Sequence, residues 1–247
     1  TAGHGPAGPW RSVFTGYGTT SITGSTTQLA VTLQPARTES RNVTHAALVV
    51  SASPYADFVA TLRVRTVQQL RHGVAGSPNP WEVGWVVWHY TSNQHFYALT
   101  LEPAGWELSQ QDPAYPGGER FLASGTTPVF RVGITHTVGI VQIGSRMTVS
   151  ADERLLVRFA DTKQPYLTGA FGFYSEDAQA RFDHIRIFQL PAPAAGTRSD
   201  HHRPQKVTVQ KGINVRWRFV SRITRARTPR PPPGAGSWSS TARGRRR

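Results

Sequence analysis

The chain has 247 residues, no Cys, one Met and a formal net charge of +14. Lack of Cys excludes disulfides, thiolate metal sites and thiol nucleophiles together, and no apolar run approaches the ~20 residues that span a bilayer as a helix. The charge is unevenly placed: residues 1–190 hold 14 Lys/Arg against 13 Asp/Glu, whereas 191–247 hold 14 against Asp200 alone. The basicity therefore says nothing about what the body binds.

In chain order, the Gly/Pro-rich stretch 1–9 (TAGHGPAGP) reads as a flexible N-terminus. TTQLAVTLQP (26–35) alternates through Leu29, Val31 and Leu33, a half-buried strand closed by Pro35. ALVVSASP (47–54) is a second strand. ADFVATLRVRT (56–66) is the clearest, with Phe58, Ala60, Leu62 and Val64 on one face and Asp57, Thr61, Arg63 and Arg65 on the other. From 120 onward strand and turn alternate: RFLAS, THTVGIVQIG (135–144), RMTVSADERLLVRFAD (146–161) with a hairpin turn at Ala151-Asp152-Glu153, and LTGAFGFYSEDAQARFDHIRIFQL (167–190). In the last, the apolar phase shifts between Phe182 and Ile185, which predicts a β-bulge at Asp183-His184.

About a dozen short strands with almost no 3.6-residue periodicity predict an all-β, antiparallel sandwich over 10–190. Residues 191–205 read as a linker and 206–220 as a short β unit. Residues 221–247 carry too few apolar side chains to pack, so they read as a disordered basic tail.

Three of the seven Trp fall within 81–88, in WEVGWVVWHY. A helix would align Trp81, Trp85 and Trp88 behind Asn79-Pro80. The valines, Gly84, Tyr90 and Thr91 favour a strand. As a strand, Trp81, Val83, Trp85 and Val87 share a uniformly apolar face that predicts core. Glu82, Gly84, Val86, Trp88 and Tyr90 share the other, continued by Phe96, Ala98 and Thr100 after the TSNQ turn. Carboxylate and aromatics together suit a partly wet surface where a sugar ring stacks. The ligand-binding candidates are Glu82, Trp88, Tyr90, His95, Phe96 and Trp106, and Glu82 and Glu107 are the candidate catalytic acids. Asp177 and Asp183 are the candidate oxygen ligands for calcium, set against the reading that both cap turns or pair with arginines.

WEVGWVVWHYTSNQHFYALTLEPAGWEL, HTVGIVQIGSRMTVSADERLLVRFAD and above all LTGAFGFYSEDAQARFDHIRI resemble the 3-keto-disaccharide hydrolase-type domain of the concanavalin A-like lectin/glucanase superfamily, over about residues 55–187. The resemblance implies a jelly roll with a carbohydrate-facing sheet. It implies activity less firmly, since that superfamily holds both hydrolases and binding modules. The Glu-x-Asp-x-x-Glu strand of laminarinase-type glucanases is missing, so a carboxylate pair on one strand is unsupported. HHRPQKVTVQKGINVRW (201–217) is similar to the opening strands of a cupredoxin. The copper site of that family is not completed in this chain, which has no Cys and no His after His202.

The sequence thus points to an extracellular carbohydrate-recognition module, secreted and accessory to a glycan-processing enzyme, with an oligo- or polysaccharide as partner. Glycoside hydrolysis of 3-keto-disaccharides or glucans is the alternative reading. Polyanion binding through the tail ranks third, because an arginine-rich end attracts nucleic acid without specific recognition.

Overall fold

Alternating side chains that bury one face of a strand need a second sheet to bury them against. The computed structural model describes residues 4–5, 8–24 and 28–191. The chain divides into two units, Thr1–Ala195 and Gly196–Arg247. The second unit, with the 206–220 β unit, the cupredoxin-like start and the basic tail, lies outside the described residues, as does the 191–205 linker beyond Pro191.

The first unit is a two-sheet antiparallel sandwich. Its strands are β1 (His4–Gly5), β2 (Gly8–Phe14), β3 (Thr19–Thr23), β4 (Ala30–Gln34), β5 (Ala46–Tyr55), β6 (Phe58–Gln69), β7 (Gly84–Ser92), β8 (His95–Glu102), β9 (Gly105–Gln111), β10 (Glu119–Gly125), β11 (His136–Ile143), β12 (Arg146–Ala151), β13 (Arg154–Ala160), β14 (Gly169–Glu176) and β15 (Ala178–Gln189). An eight-stranded sheet runs β1-β2-β5-β14-β7-β8-β9-β10, and a seven-stranded sheet runs β13-β12-β11-β6-β15-β4-β3. The β1–β2 pairing, His4 to Pro9 and Gly5 to Gly8, falls within the stretch expected to be flexible. No helix among the described residues is long and apolar enough to cross a membrane.

Several elements follow directly from local chemistry. The alternating set Phe58, Ala60, Leu62 and Val64 of β6 is buried between the sheets. Asp152 and Glu153, both at positive φ, turn β12 into β13, where small or polar residues tolerate the left-handed region. The expected bulge in β15 is present: pairing with β6 jumps from Asp183 to Arg186, and His184 takes φ 52°.

The inter-sheet core is aromatic. Phe173 and Phe182 stack across it at 4.5 Å, and Trp10 stacks on Phe173 at 5.2 Å. Trp88 belongs to this core: it is fully buried, and its indole N–H donates to Gln142 Oε1 at 3.0 Å. The sandwich has a second apolar layer on the outer face of the eight-stranded sheet, built from Leu48, Val50, Val83, Trp85, Val87, Tyr90, Phe96 and Ala98.

That second layer corrects the reading of 81–90. The segment is a strand only from Gly84, and Trp81 precedes it, exposed. Val83, Trp85 and Val87 do share a face, but it is the outer one, while Val86 and Trp88 point into the inter-sheet core. At His89, φ is 51° and pairing with β14 skips a residue, from Val87–Gly172 to Tyr90–Ala170. This bulge reverses the alternation and carries Tyr90 to the Trp85 face. Gly169 accommodates it, since a Cβ there would lie 2.3 Å from the His89 carbonyl carbon. The His89 ring is buried between the Tyr166 and Ala56 carbonyls, at 2.6 Å from Nδ1 and 3.0 Å from Nε2. Burial holds its pKa below the usual histidine range, and the two carbonyls oppose that shift.

Candidate functional site

Register fixes what the outer face of the eight-stranded sheet presents. Tyr174, Trp85, Thr100 and Glu107 lie in one cross-strand row, and Val87, Ala98, Ser109 and Phe121 in the next. Phe96, Gln111 and Glu119 form a third. By alternation Glu102 and Glu176 share the face. Its centre is apolar and closed: Tyr90 is 7% exposed and Phe96 6%. Its margin toward β10 is different, because Phe121 is 69% exposed, opposite Ser109 and diagonal to Glu107 and Gln111.

The margin is acidic. Burial, reinforced by Glu119 and Glu102, pushes the Glu107 carboxyl up from 4.5 to about 7. No Lys or Arg of the described residues forms an ion pair with Glu102, Glu107, Glu119 or Glu176. Thr100 Oγ1 donates to Glu102 Oε1 at 2.8 Å, and the Tyr174 hydroxyl donates to Glu176 Oε1. Burial raises both the Tyr174 hydroxyl and the Glu176 carboxyl, the latter against the pull of that hydrogen bond. A face of this composition offers an accessible ring to stack on and carboxylates that accept hydroxyl hydrogens.

The sequence candidates scatter. Glu107 lies on the face, as do Tyr90 and Phe96, but those two rings are buried and form its floor rather than a solvated stacking surface. Trp88 and Trp106 point between the sheets, and Trp106 donates to the Thr127 carbonyl at 3.2 Å. Neither can meet a ligand on the outer face. Glu82 is buried away from it, accepting from Arg71 Nε at 2.6 Å and Asn79 Nδ2 at 2.7 Å. Arg71 also donates to Asp177 and to the Ser40, Arg41 and Val43 carbonyls, so this cluster fastens the 38–45 loop to the sandwich. Glu82, expected both to bind ligand and to act as an acid, is instead held by its charge partner Arg71 away from the outer face.

Of the two calcium candidates, Asp177 pairs with Arg71 and accepts from the His45 N–H at 3.0 Å. Asp183 pairs with Arg63 at 2.7 Å and with Arg181 at 3.2 Å. Both carboxylates are thus engaged by guanidinium groups, as the arginine-pairing reading expects. His95 lies at the end of the sandwich, beside Asp112 and Tyr166. Sequence reasoning missed Phe121, Glu102, Tyr174 and Glu176. Only the alternation of ERFLASG carried a signal for the first of them.

No family model matches the chain, and no curated protein does. Among solved structures, the chain is similar to the carbohydrate-binding module CBM66 from Bacillus subtilis, at 14% identity and TM-score 0.51, with 72% of this chain and 94% of that one covered. It is also similar to a GH16 protein of the Bacteroides ovatus mixed-linkage glucan locus, at 8% identity and TM-score 0.47, covering 68% and 85%. A third is a Bacillus subtilis protein of unknown function with a galectin-like fold, at 11% and 0.45, covering 73% and 89%. The first likeness supports the two-sheet sandwich as the fold.

Proposed function

We propose that the chain is a carbohydrate-recognition module that presents the β9–β10 margin of its eight-stranded sheet to an oligo- or polysaccharide. The observation that carries this reading is an exposed Phe121 ring set among Glu107, Gln111 and Glu119, at the margin of a face whose apolar centre is closed. A pyranose lays its C–H face on the ring while its hydroxyls donate to the carboxylates and to the amide oxygen. The fold it shares with a carbohydrate-binding module supports the reading by analogy. An extracellular setting and an accessory role beside a glycan-processing enzyme belong to the same proposal. Affinity electrophoresis of the full chain through mixed-linkage glucan and laminarin tests it. We expect retardation by at least one polysaccharide, lost in Phe121→Ala; equal retardation of that variant, or none for the wild type, overturns the reading.

One observation favours a second reading, glycoside hydrolysis. A carboxyl that holds its proton up to about pH 7 is suited to donate to a leaving-group oxygen, and Glu107 is such a group. Neighbouring Glu119 or Glu102 would then serve as base or nucleophile. Incubation with β-glucans and 3-keto-disaccharides, with Glu107→Gln in parallel, tests it. Product release that Glu107→Gln abolishes supports catalysis; product release unchanged in that variant removes Glu107 as the acid.

A further inference from the structure

We propose that the end of the sandwich beside His95 and Asp112 is a second, separate binding pocket, shaped for the vicinal diol of a single sugar ring or small polyol. His95, Asp112, Gln164, Pro165 and Tyr166 line a recess of about 260 Å³. That is below the roughly 300–1,000 Å³ of clefts that take drug-sized ligands, and the recess is shallow and open to solvent, so it seats no more than one ring.

The walls are held in place by buried groups that do not themselves face the recess. Asp161 is fully buried and accepts from the Lys163 and Gln164 N–H groups at 3.1 and 3.3 Å, which fixes the start of the 161–166 loop. It also accepts from the Tyr97 hydroxyl at 2.7 Å and pairs with Arg120 at 2.9 Å. Gln110 Nε2 donates to the Gln164 carbonyl at 2.8 Å, and the Tyr166 N–H donates to the Tyr97 hydroxyl at 3.0 Å. The Tyr166 hydroxyl donates to the Gln111 carbonyl at 2.9 Å, so its ring is locked across β9. A loop fastened at this many points is pre-organised, and a ligand meeting it gives up little entropy on its account.

The groups that line the recess are left with capacity to spare. Asp112 is only 6% exposed, yet among the described residues only its Oδ1 is engaged, accepting from the Ala114 N–H at 2.9 Å. His95 Nδ1 lies 3.0 Å from Ser92 Oγ, which leaves Nε2 for a ligand. The His95 and Tyr166 rings sit 5.8 Å apart, and Pro165 adds an apolar surface. A carboxylate oxygen takes one hydroxyl of a diol and the imidazole nitrogen takes its neighbour, while the carbon face of the ring meets Tyr166 and Pro165. No Lys or Arg lines the recess, so an anionic ligand finds a like charge there. This pocket binds whether or not the Phe121 margin does.

The test is backbone amide NMR of the full chain titrated with methyl β-D-glucopyranoside and with glycerol, using 1,3-propanediol, which has no vicinal diol, as the control. We expect saturable shifts at His95, Asp112, Gln164 and Tyr166 with the first two only. Asp112→Asn keeps the Oδ1 acceptor for Ala114, and we expect it to weaken binding about tenfold or more, equivalent to about 1.4 kcal/mol. His95→Ala weakens binding as well, and Phe121→Ala leaves it unchanged. The proposal is overturned if no shift at these residues saturates up to about 100 mM, where even millimolar affinity registers. It is equally overturned if Asp112→Asn and His95→Ala bind like the wild type, or if zinc or calcium shifts these amides while the sugars do not. Loss of polysaccharide binding in Phe121→Ala with these shifts intact separates the two sites; absence of polysaccharide binding with these shifts present refutes the margin alone.

Discussion

Replacing Glu107 with Gln tests the electrostatics of the outer face without touching the inter-sheet core. In the folded chain the Glu107 carboxyl is raised from 4.5 to about 7 by burial first and by Glu119 and Glu102 second. Between those two values the native state holds a proton that the unfolded state has released. By linkage, stability therefore falls as pH climbs through this window, and the full penalty stands above pH 7. At 1.36 kcal/mol per unit the shift corresponds to about 3 kcal/mol for a fully sealed group. Glu107 is only part-buried, and solvent screening reduces that to about 1–2 kcal/mol. Gln is the neutral isostere of the protonated form. Urea unfolding of wild type and Glu107→Gln at pH 4.5 and pH 8 reads the difference, because titrations of groups not coupled to Glu107 cancel between the two proteins. We expect near-equal stability at pH 4.5 and a variant more stable by about 1–2 kcal/mol at pH 8. A difference that does not change between the two pH values refutes the reasoning.

Three further substitutions probe the frame that positions the site. Arg71→Met leaves Glu82 and Asp177 buried without their shared cation, and urea denaturation should show a loss of about 3–5 kcal/mol. Trp88→Phe orphans the buried Gln142 oxygen and should cost about 1–3 kcal/mol, with Trp88→Phe/Gln142→Leu costing less than the two single changes added together. Gly84→Ala puts a Cβ 2.9 Å from Ala180 Cβ and 3.0 Å from Phe182 Cζ, an overpacking worth about 1–3 kcal/mol in a thermal melt.

Much of the fold was legible because single strands carried their own evidence. In β6 an apolar set alternates with Asp57, Thr61, Arg63 and Arg65, so one face had to be core, and it is. The phase break near His184 announced a bulge. The 81–90 segment carried no such contrast. Its strand lies in the middle of a sheet with apolar layers on both faces, so alternation sorted the residues into two sets but could not say which set faced the other sheet. The bulge at His89 then moved Tyr90 from one set to the other, with no Gly at or beside position 89 to mark it. Phe121 was hidden for the opposite reason. It sits in an edge strand whose short alternation looks like any half-buried strand, and its meaning comes from Glu107 and Gln111 on the neighbouring strand. The carboxylates were individually visible, but only register places Glu107 and Glu119 on one face, beside Glu102.

A crystal structure of the full chain grown with saturating mixed-linkage β-glucan tetrasaccharide or laminaritetraose tests the carbohydrate-recognition claim most directly. The account predicts a sugar ring seated parallel to Phe121, with hydroxyls within hydrogen-bond distance of Glu107 or Glu119. An oligosaccharide ordered on the opposite sheet, or a Phe121 ring that stays bare beside every one of these ligands, would contradict it.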